Sequence, residues 1–572
     1  MNLRTIFPAM ALALALVIPI PAARGGTEDL EGLLRHVPAE LPIAIVVVDF
    51  EKLDKSIASL VKQIDPQASY NGALAEIKED LGIGDWIDFS KPVAIANGLS
   101  GDEQIIMCVT VPNFAEKAKA LPNAKEEEGV WHLTFERKED VFATLKGPYV
   151  LMAKSAVALA AAGKPARTLA EELKPRLDWL KDRDALIHIN FDPVRQQALA
   201  GIAQVATMGP LLAMAFGQHA GADPAGMTAM LSGVLDGLKR FGEQIAYVDV
   251  VLGLDANAAN VTLASGFNDG PIKSYLAKQR PASVPPFTEI EERPYFAALG
   301  CHFPGTESPF LDYFFEKTAA SVQPAAPPAA PGDAGTAATP PAAGGNADPA
   351  REAMLISRDL YRKVEGWNTV MSFVPGAMSS SGDYVGADPA AIFDLAKKAM
   401  LKVNPVLKSF NGGATYETLG SKKLGEVTVE EFALKFDAAN PATAQMVQMM
   451  GENARFTLGI AGGRVRYSLG GEPEAQRIFS GKIEKPLGSS KGVMEAMATL
   501  PAKRNAVLLI DPLGLVPLLG PMMGNPKVDV TPGVSPVAIS LSLSGEPARV
   551  DIRVPLKTIE RLVQTLSPQK PM

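Results

Sequence analysis

The residues able to do chemistry are few and far apart. The five histidines are His36, His132, His188, His219 and His302, and no two stand at a helical or zinc-finger spacing. That removes the HExxH and structural zinc patterns, which need ligands close together in sequence or on one helix face. His188 and His302 both sit in apolar runs that open a unit. A metal pair shared between them is one reading; their unlike flanks favour two unrelated strand side chains. Gly488-Ser489-Ser490-Lys491-Gly492 fits the G-x-S-x-G string. A nucleophile elbow needs a buried strand immediately before it. Ile483-Glu484-Lys485-Pro486-Leu487 is not one, so a flexible Gly/Ser loop is expected. Lys491 lacks the glycine spacing of a phosphate loop, and no G-x-G-x-x-G opens a helix after a strand. No catalytic, cofactor-binding or metal-binding residue is assigned.

Asp49, Asn190 and Asp511 each follow an apolar run. They could suggest a carboxylate site, but the simpler expectation is capping: Asp and Asn side chains accept hydrogen bonds from the first free N–H groups of a helix or turn. Cys108 and Cys301 each lie in an apolar run, Ile105–Val109 and Ala297–Cys301. Two cysteines in 572 residues are no disulfide framework. Two buried, unpaired thiols are expected, with a single bridge as the alternative.

Methionine marks the one stretch suited to an apolar ligand. The segment 205–241 contains Met208, Leu211, Leu212 and Met214, then Met227, Met230 and Leu231 at the spacing of one helix face. A shorter run near the C-terminus contains Met522 and Met523. Methionine adapts to irregular apolar shapes and recurs at promiscuous binding surfaces. These nine residues are the candidate apolar-ligand surface; an ordinary buried helix pair is the competing reading.

The elements that would position such residues are short. Trp131–Phe135 alternates as a half-buried strand and is expected to pair with Tyr149–Ala153, before a small-residue helix from Ser155. Arg455–Ile460 and Arg464–Leu469 form a hairpin turning on Gly462-Gly463, with a helix from Pro473 to Phe479. Strands joined by hairpins, with helices returning to one face, predict an α+β fold with antiparallel sheets.

These units recur in order. Leu180–Pro193 resembles Leu500–Pro512. Two strands before Ile272–Leu276 resemble two strands before Leu556–Glu560. Glu40–Phe50 resembles Glu292–Phe303. Two diverged tandem copies follow, at 30–285 and 287–570. The Pro/Ala/Gly-rich stretch 321–350 cannot bury a core and reads as a disordered insertion inside copy two.

The N-terminus reads as an export signal: Arg4, an apolar run from Ala9 to Ile20, then small residues to Gly25. Residues 1–25 are expected to be removed, and the run is short for a membrane span. Their loss leaves 53 basic and 63 acidic side chains. An acidic chain without a Lys/Arg cluster is a poor partner for nucleic acid, and no later segment reads as transmembrane. The organisation as a whole resembles that of large uncharacterised exported bacterial proteins of the domain-of-unknown-function kind; the resemblance implies no site and no activity. The expectation is an exported protein, periplasmic or secreted, that binds or scaffolds without catalysis. The alternatives are a carrier of lipid or another apolar ligand, and a hydrolase whose site is assembled from distant residues.

Overall fold

Strand β1 (Ile43–Val47) carries apolar side chains on both faces because both faces are covered. Ile45 and Val47 pack with Phe50 and Leu53 of the helix Phe50–Ile64. Ala44 and Val46 pack the other way, against Leu33 of the helix Thr27–Leu34 and Leu159 of the helix Ala156–Ala162. A strand between two helical layers loses the polar alternation of a half-exposed one.

A computed structural model describes residues 27–64, 70, 72–81, 83–98, 104–135, 140–180, 183–208, 224–255, 257–282, 286–303, 312, 315, 349–374, 377–404, 414–436, 447, 450–451, 454–480, 483–516, 535–545 and 547–566. The leader expected at residues 1–25 lies outside them. Within the described residues the chain is mixed α/β, with antiparallel strands in one 20-stranded sheet.

The first half supplies β1, β2 (Val93–Asn97), β3 (Ile105–Thr110), β4 (Lys125–Glu127), β5 (Val130–Thr134), β6 (Asp140–Lys146), β7 (Tyr149–Ala153), β8 (Ala185–Asn190), β9 (Ile245–Leu254) and β10 (Ala258–Phe267). The second supplies β11 (Ala297–His302), β12 (Gly366–Val374), β13 (Ala377–Val385), β14 (Thr415–Leu424), β15 (Val427–Lys435), β16 (Arg455–Ala461), β17 (Arg464–Gly470), β18 (Ala506–Ile510), β19 (Val537–Ser542) and β20 (Ala548–Pro555). Their pairings run β4-β5-β6-β7-β3-β2-β1-β8-β9-β10, then β20-β19-β18-β11-β12-β13-β17-β16-β15-β14. Both lists, read outward from the β10–β20 junction, visit their strands in the same sequence. The Pro/Ala-rich stretch falls between β11 and β12, and most of it lies outside the described residues.

One expected pairing is corrected. β5 does not pair with β7: β6 stands between them. Within Asp140–Lys146, Val141, Ala143 and Leu145 recur at period 2, the spacing of one strand face. The second hairpin is as expected, with Gly462 at φ +60 and Gly463 at φ +72 between β16 and β17. Left-handed backbone at both central positions is what a tight two-residue turn requires, and only glycine adopts it without strain.

Asp49, Asn190 and Asp511 act as caps. Asp49 Oδ1 accepts the Lys52 N–H at 2.8 Å, Asn190 Oδ1 the Asp192 N–H at 3.2 Å, and Asp511 Oδ1 the Leu513 N–H at 3.0 Å. Cys108 is buried in β3 and Cys301 half-buried in β11; both are free thiols. Among the described residues no helix is long and apolar enough to cross a membrane.

Candidate binding groove

The strap 287–295 enters the second half beside the segment 485–488. Glu292 donates its N–H to the Lys485 carbonyl at 2.7 Å, and Leu487 donates to the Ile290 carbonyl at 2.7 Å. This ribbon walls an open groove of about 1510 Å³, closed on its other sides by the helix Lys491–Ala498, the end of β20 and the start of the helix Leu556–Leu566. Leu487, Val493, Ala496 and Leu556 supply apolar lining. Charges of both signs line it too: Glu292, Glu484, Glu495 and Glu560 against Lys485, Lys491, Lys557 and Arg561. Asn257 of the first half also lines it, so the groove straddles the junction.

Burial raises the pKa of two groups in the groove lining, Tyr295 and Asp511. Burial pushes the Tyr295 hydroxyl far up, with the Asp511 charge adding to it. Burial also pushes the Asp511 carboxyl above its ordinary range, although the Leu513 and Gly514 N–H groups and Arg561 pull the other way. Ser490 lines the groove as well, at the start of the helix Lys491–Ala498. A 3-10 turn over Leu487–Ser489 precedes it instead of a strand. The expected loose loop is therefore an ordered turn, and the elbow geometry is absent there.

Behind the strap the sheet is polar where a core would be apolar. Ser381 of β13 faces Ser468 of β17, Ser468 faces Thr457 of β16, and Thr457 faces Glu431 of β15. All four are buried. Three ion pairs clamp the strap and the helix Glu472–Ser480 over this row. Arg293 meets Glu474, Arg477 meets Glu291 at 2.5 Å, and Arg466 meets Glu289 at 2.9 Å. Arg293 also donates to Ser381 Oγ at 2.8 Å. A cavity of about 80 Å³ remains between Glu289, Glu291, Ser381, Arg466 and Arg477.

The first half holds a different buried cluster. His188 of β8 and Asp249 of β9 are register partners and share a 2.6 Å hydrogen bond. The other carboxylate oxygen of Asp249 lies 3.1 Å from Arg176 Nε, and the guanidinium stacks 3.7 Å above the Tyr247 ring. His188, Asp249 and Arg176 are almost wholly buried, so this is an internal strut. His302 stands six strand steps away in β11, which at the usual strand spacing is about 29 Å along the sheet. The two histidines are not a ligand pair. Among the described residues no group of three or more His, Cys, Asp and Glu side chains could hold a metal ion.

The candidate apolar surface is only partly in view. Met208 follows the helix Phe191–Thr207 and is 48% exposed. Met227, Met230 and Leu231 lie in the helix Pro224–Gln244, which packs against it. Leu211, Leu212, Met214, Met522 and Met523 lie outside the described residues. Sequence reasoning missed the strap clamp entirely. Its signal was the charge density of Glu289-Ile290-Glu291-Glu292-Arg293 between prolines.

No protein-family model matches the chain, and no curated protein sequence does. Among solved structures, crystal form I of TP0453 covers 42% of this chain and 79% of its own, at 11% identity and a TM-score of 0.21. Crystal form III covers 44% and 88%, at 10% identity and a TM-score of 0.19. Likeness at that level carries no argument about fold or function.

Proposed function

We propose that this is an exported, non-enzymatic binding protein, built from two diverged copies of one α+β unit, that holds a polypeptide segment of a partner in the groove beside the helix Lys491–Ala498. The observation that carries the reading is the groove's combination of an apolar lining with charges of both signs. An extended peptide presents the same mixture: apolar side chains for the lining, and charged side chains and backbone polar groups for the rims. Nucleic acid fits it poorly, since the acidic side chains repel phosphate.

The duplicated architecture is supported by the strand order and by matching hydrogen bonds. Asn190 and Asp511 cap the turns after β8 and β18 with the same two-residue reach. The leader 1–25 supports export.

The test is a panel of extended peptides of mixed Glu/Lys charge and apolar content, titrated against the full mature chain and followed by hydrogen–deuterium exchange. Protection at 485–498 and 553–561, lost in Lys491→Glu/Lys557→Glu, is expected. Binding that ignores those substitutions, or no binding at millimolar peptide, removes the reading.

One observation favours a second reading, an apolar-ligand carrier. Val205 is 43% exposed, Met208 48% and Leu238 45%, all on or beside the helix pair Phe191–Thr207 and Pro224–Gln244. Native mass spectrometry of protein purified from its own envelope should then show bound lipid. Bare protein, with no site for an apolar dye, rules the carrier out.

A further inference from the structure

Thr262 and Asp551 face each other at the centre of the β10–β20 junction, as register partners. Both are buried, and the Thr262 hydroxyl donates to Asp551 Oδ1 at 2.7 Å. They also hold matching places in their halves. Val261 pairs with Leu252, which pairs with Ala185; Val550 pairs with Leu541, which pairs with Ala506 at the corresponding start of β18. One residue further along stand Thr262 and Asp551. Residues that are both matched and opposite lie on the local two-fold axis between the halves.

The two strands meeting at that axis differ in charge. On the face of Asp551, β20 also carries Arg549 and Arg553. Opposite them, β10 presents Ala264, Thr262 and Asn260. Arg549 bonds Asp551 at 2.5 and 2.7 Å, and Arg553 reaches Asn260 and Asp255 at 3.2 Å. Substituting a second β20 for β10 in the same register sets Asp551 against Asp551 and Arg549 against Arg553 twice. Like charges directly opposite destabilise a strand pair, more so where water is excluded. Two β10 strands would set Thr262 against Thr262 and Asn260 against Ala264, with no such conflict.

We propose that the junction is a hetero-specific strand-edge interface. Strand β20 fits an edge bearing the small, uncharged set Asn260, Thr262 and Ala264, which is the first half of this chain or of a second copy. It rejects another β20. An exposed strand edge is a ready template for wrong pairing, and charges placed on it are a known form of protection. Here the protection is directional: one half carries the charges, and the other carries the groups that accept them. The proposal is independent of the groove.

The first test uses the full chain and its urea midpoint. Thr262→Asp sets a carboxylate against Asp551 and should lower the midpoint. The exchange Thr262→Asp/Asp551→Thr restores one Thr–Asp pair on the axis and should recover more than half of that loss. An exchanged chain as unstable as the two single substitutions combined overturns the proposal. The second test leaves the junction unsubstituted. A specific protease site replaces residues 283–285, the folded full chain is cut, and the mixture is unfolded and refolded. Native mass spectrometry should show pairs of unlike halves. Second-half homodimers at comparable abundance overturn it.

Discussion

Asp184 and Asn505 occupy matching places just before β8 and β18, and their side chains make the same bond. Asp184 Oδ2 accepts the Leu254 N–H at 2.6 Å, and Asn505 Oδ1 accepts the Leu543 N–H at 2.7 Å. The backbone bonds match too: Asp184 donates its N–H to the Leu252 carbonyl at 2.9 Å, and Asn505 to the Leu541 carbonyl at 2.7 Å. What differs is charge. Asp184 has Lys52 Nζ at 2.8 Å, whereas Asn505 is neutral and spends its amide on the Arg280 carbonyl, also at 2.8 Å.

The exchange should therefore be asymmetric. Asp184→Asn keeps the bond to Leu254 and removes the negative charge beside Lys52, whose side chain is partly exposed; a loss of about 1 kcal/mol is expected. Asn505→Asp buries a carboxylate and removes the donor to Arg280, so about 3 kcal/mol or more is expected. Urea unfolding of both variants at pH 7 checks the order, and equal losses would contradict it.

The His188–Asp249–Arg176 strut should tolerate loss of the histidine better than loss of the carboxylate. The second-half residues in the matching places are Leu509 and Ala538, so an apolar pair fits this sheet position. His188→Leu leaves Arg176 and Asp249 paired. Asp249→Ala leaves the buried Arg176 guanidinium with only the more distant Glu172 carboxylate, 3.9 Å away, and should cost about 3 kcal/mol. Thermal or urea unfolding distinguishes the two.

The strap clamp should weaken in acid. Burial alone would raise the Glu474 carboxyl, but Arg293 and Arg477 overcome it and hold it below its ordinary value of 4.5. A carboxyl depressed on folding stabilises above its unfolded value, and that contribution is lost as pH falls through the folded value. Protection factors of strap amides 287–293, taken relative to the unfolded chain at the same pH, should be high at neutral pH and fall below about pH 4.5, with Glu474→Gln removing part of the pH dependence. A profile identical in that variant would assign the acid sensitivity elsewhere.

Asp511 carries the opposite sign. Its carboxyl is raised mainly by burial, so ionising it costs stability above the folded value, and the cost vanishes below the unfolded one. Asp511→Asn retains an acceptor for Leu513 and should stabilise slightly at pH 7, with the gain shrinking toward pH 4. A clear loss at pH 7 would mean that the charge itself is needed.

The two thiols should be inert in the folded protein. Burial pushes Cys108 up to about 12 and Cys301 up to about 11. Thiolate is the reactive form, so iodoacetamide at pH 8 should modify neither until the chain unfolds. Mass spectrometry counts the adducts in each state; rapid labelling of folded protein would count against this burial.

The sequence by itself determined what local pattern can carry. Period-2 runs such as Arg464–Leu469, the paired glycines 462 and 463, and the caps at Asp49, Asn190 and Asp511 depend on backbone geometry within a few residues. The matched runs around β8 and β18 were legible for the same reason. Tertiary structure decided the rest, because pairing partners and burial depend on residues far apart in the chain. Only the fold interposes β6 between β5 and β7, seals Ser381, Ser468 and Thr457 beneath the strap, and gathers residues 257, 291–295, 484–499 and 553–561 around one groove. Only the register of β10 on β20 sets Thr262 against Asp551. A strand's sequence states which side chains alternate; its neighbours decide which of them meet.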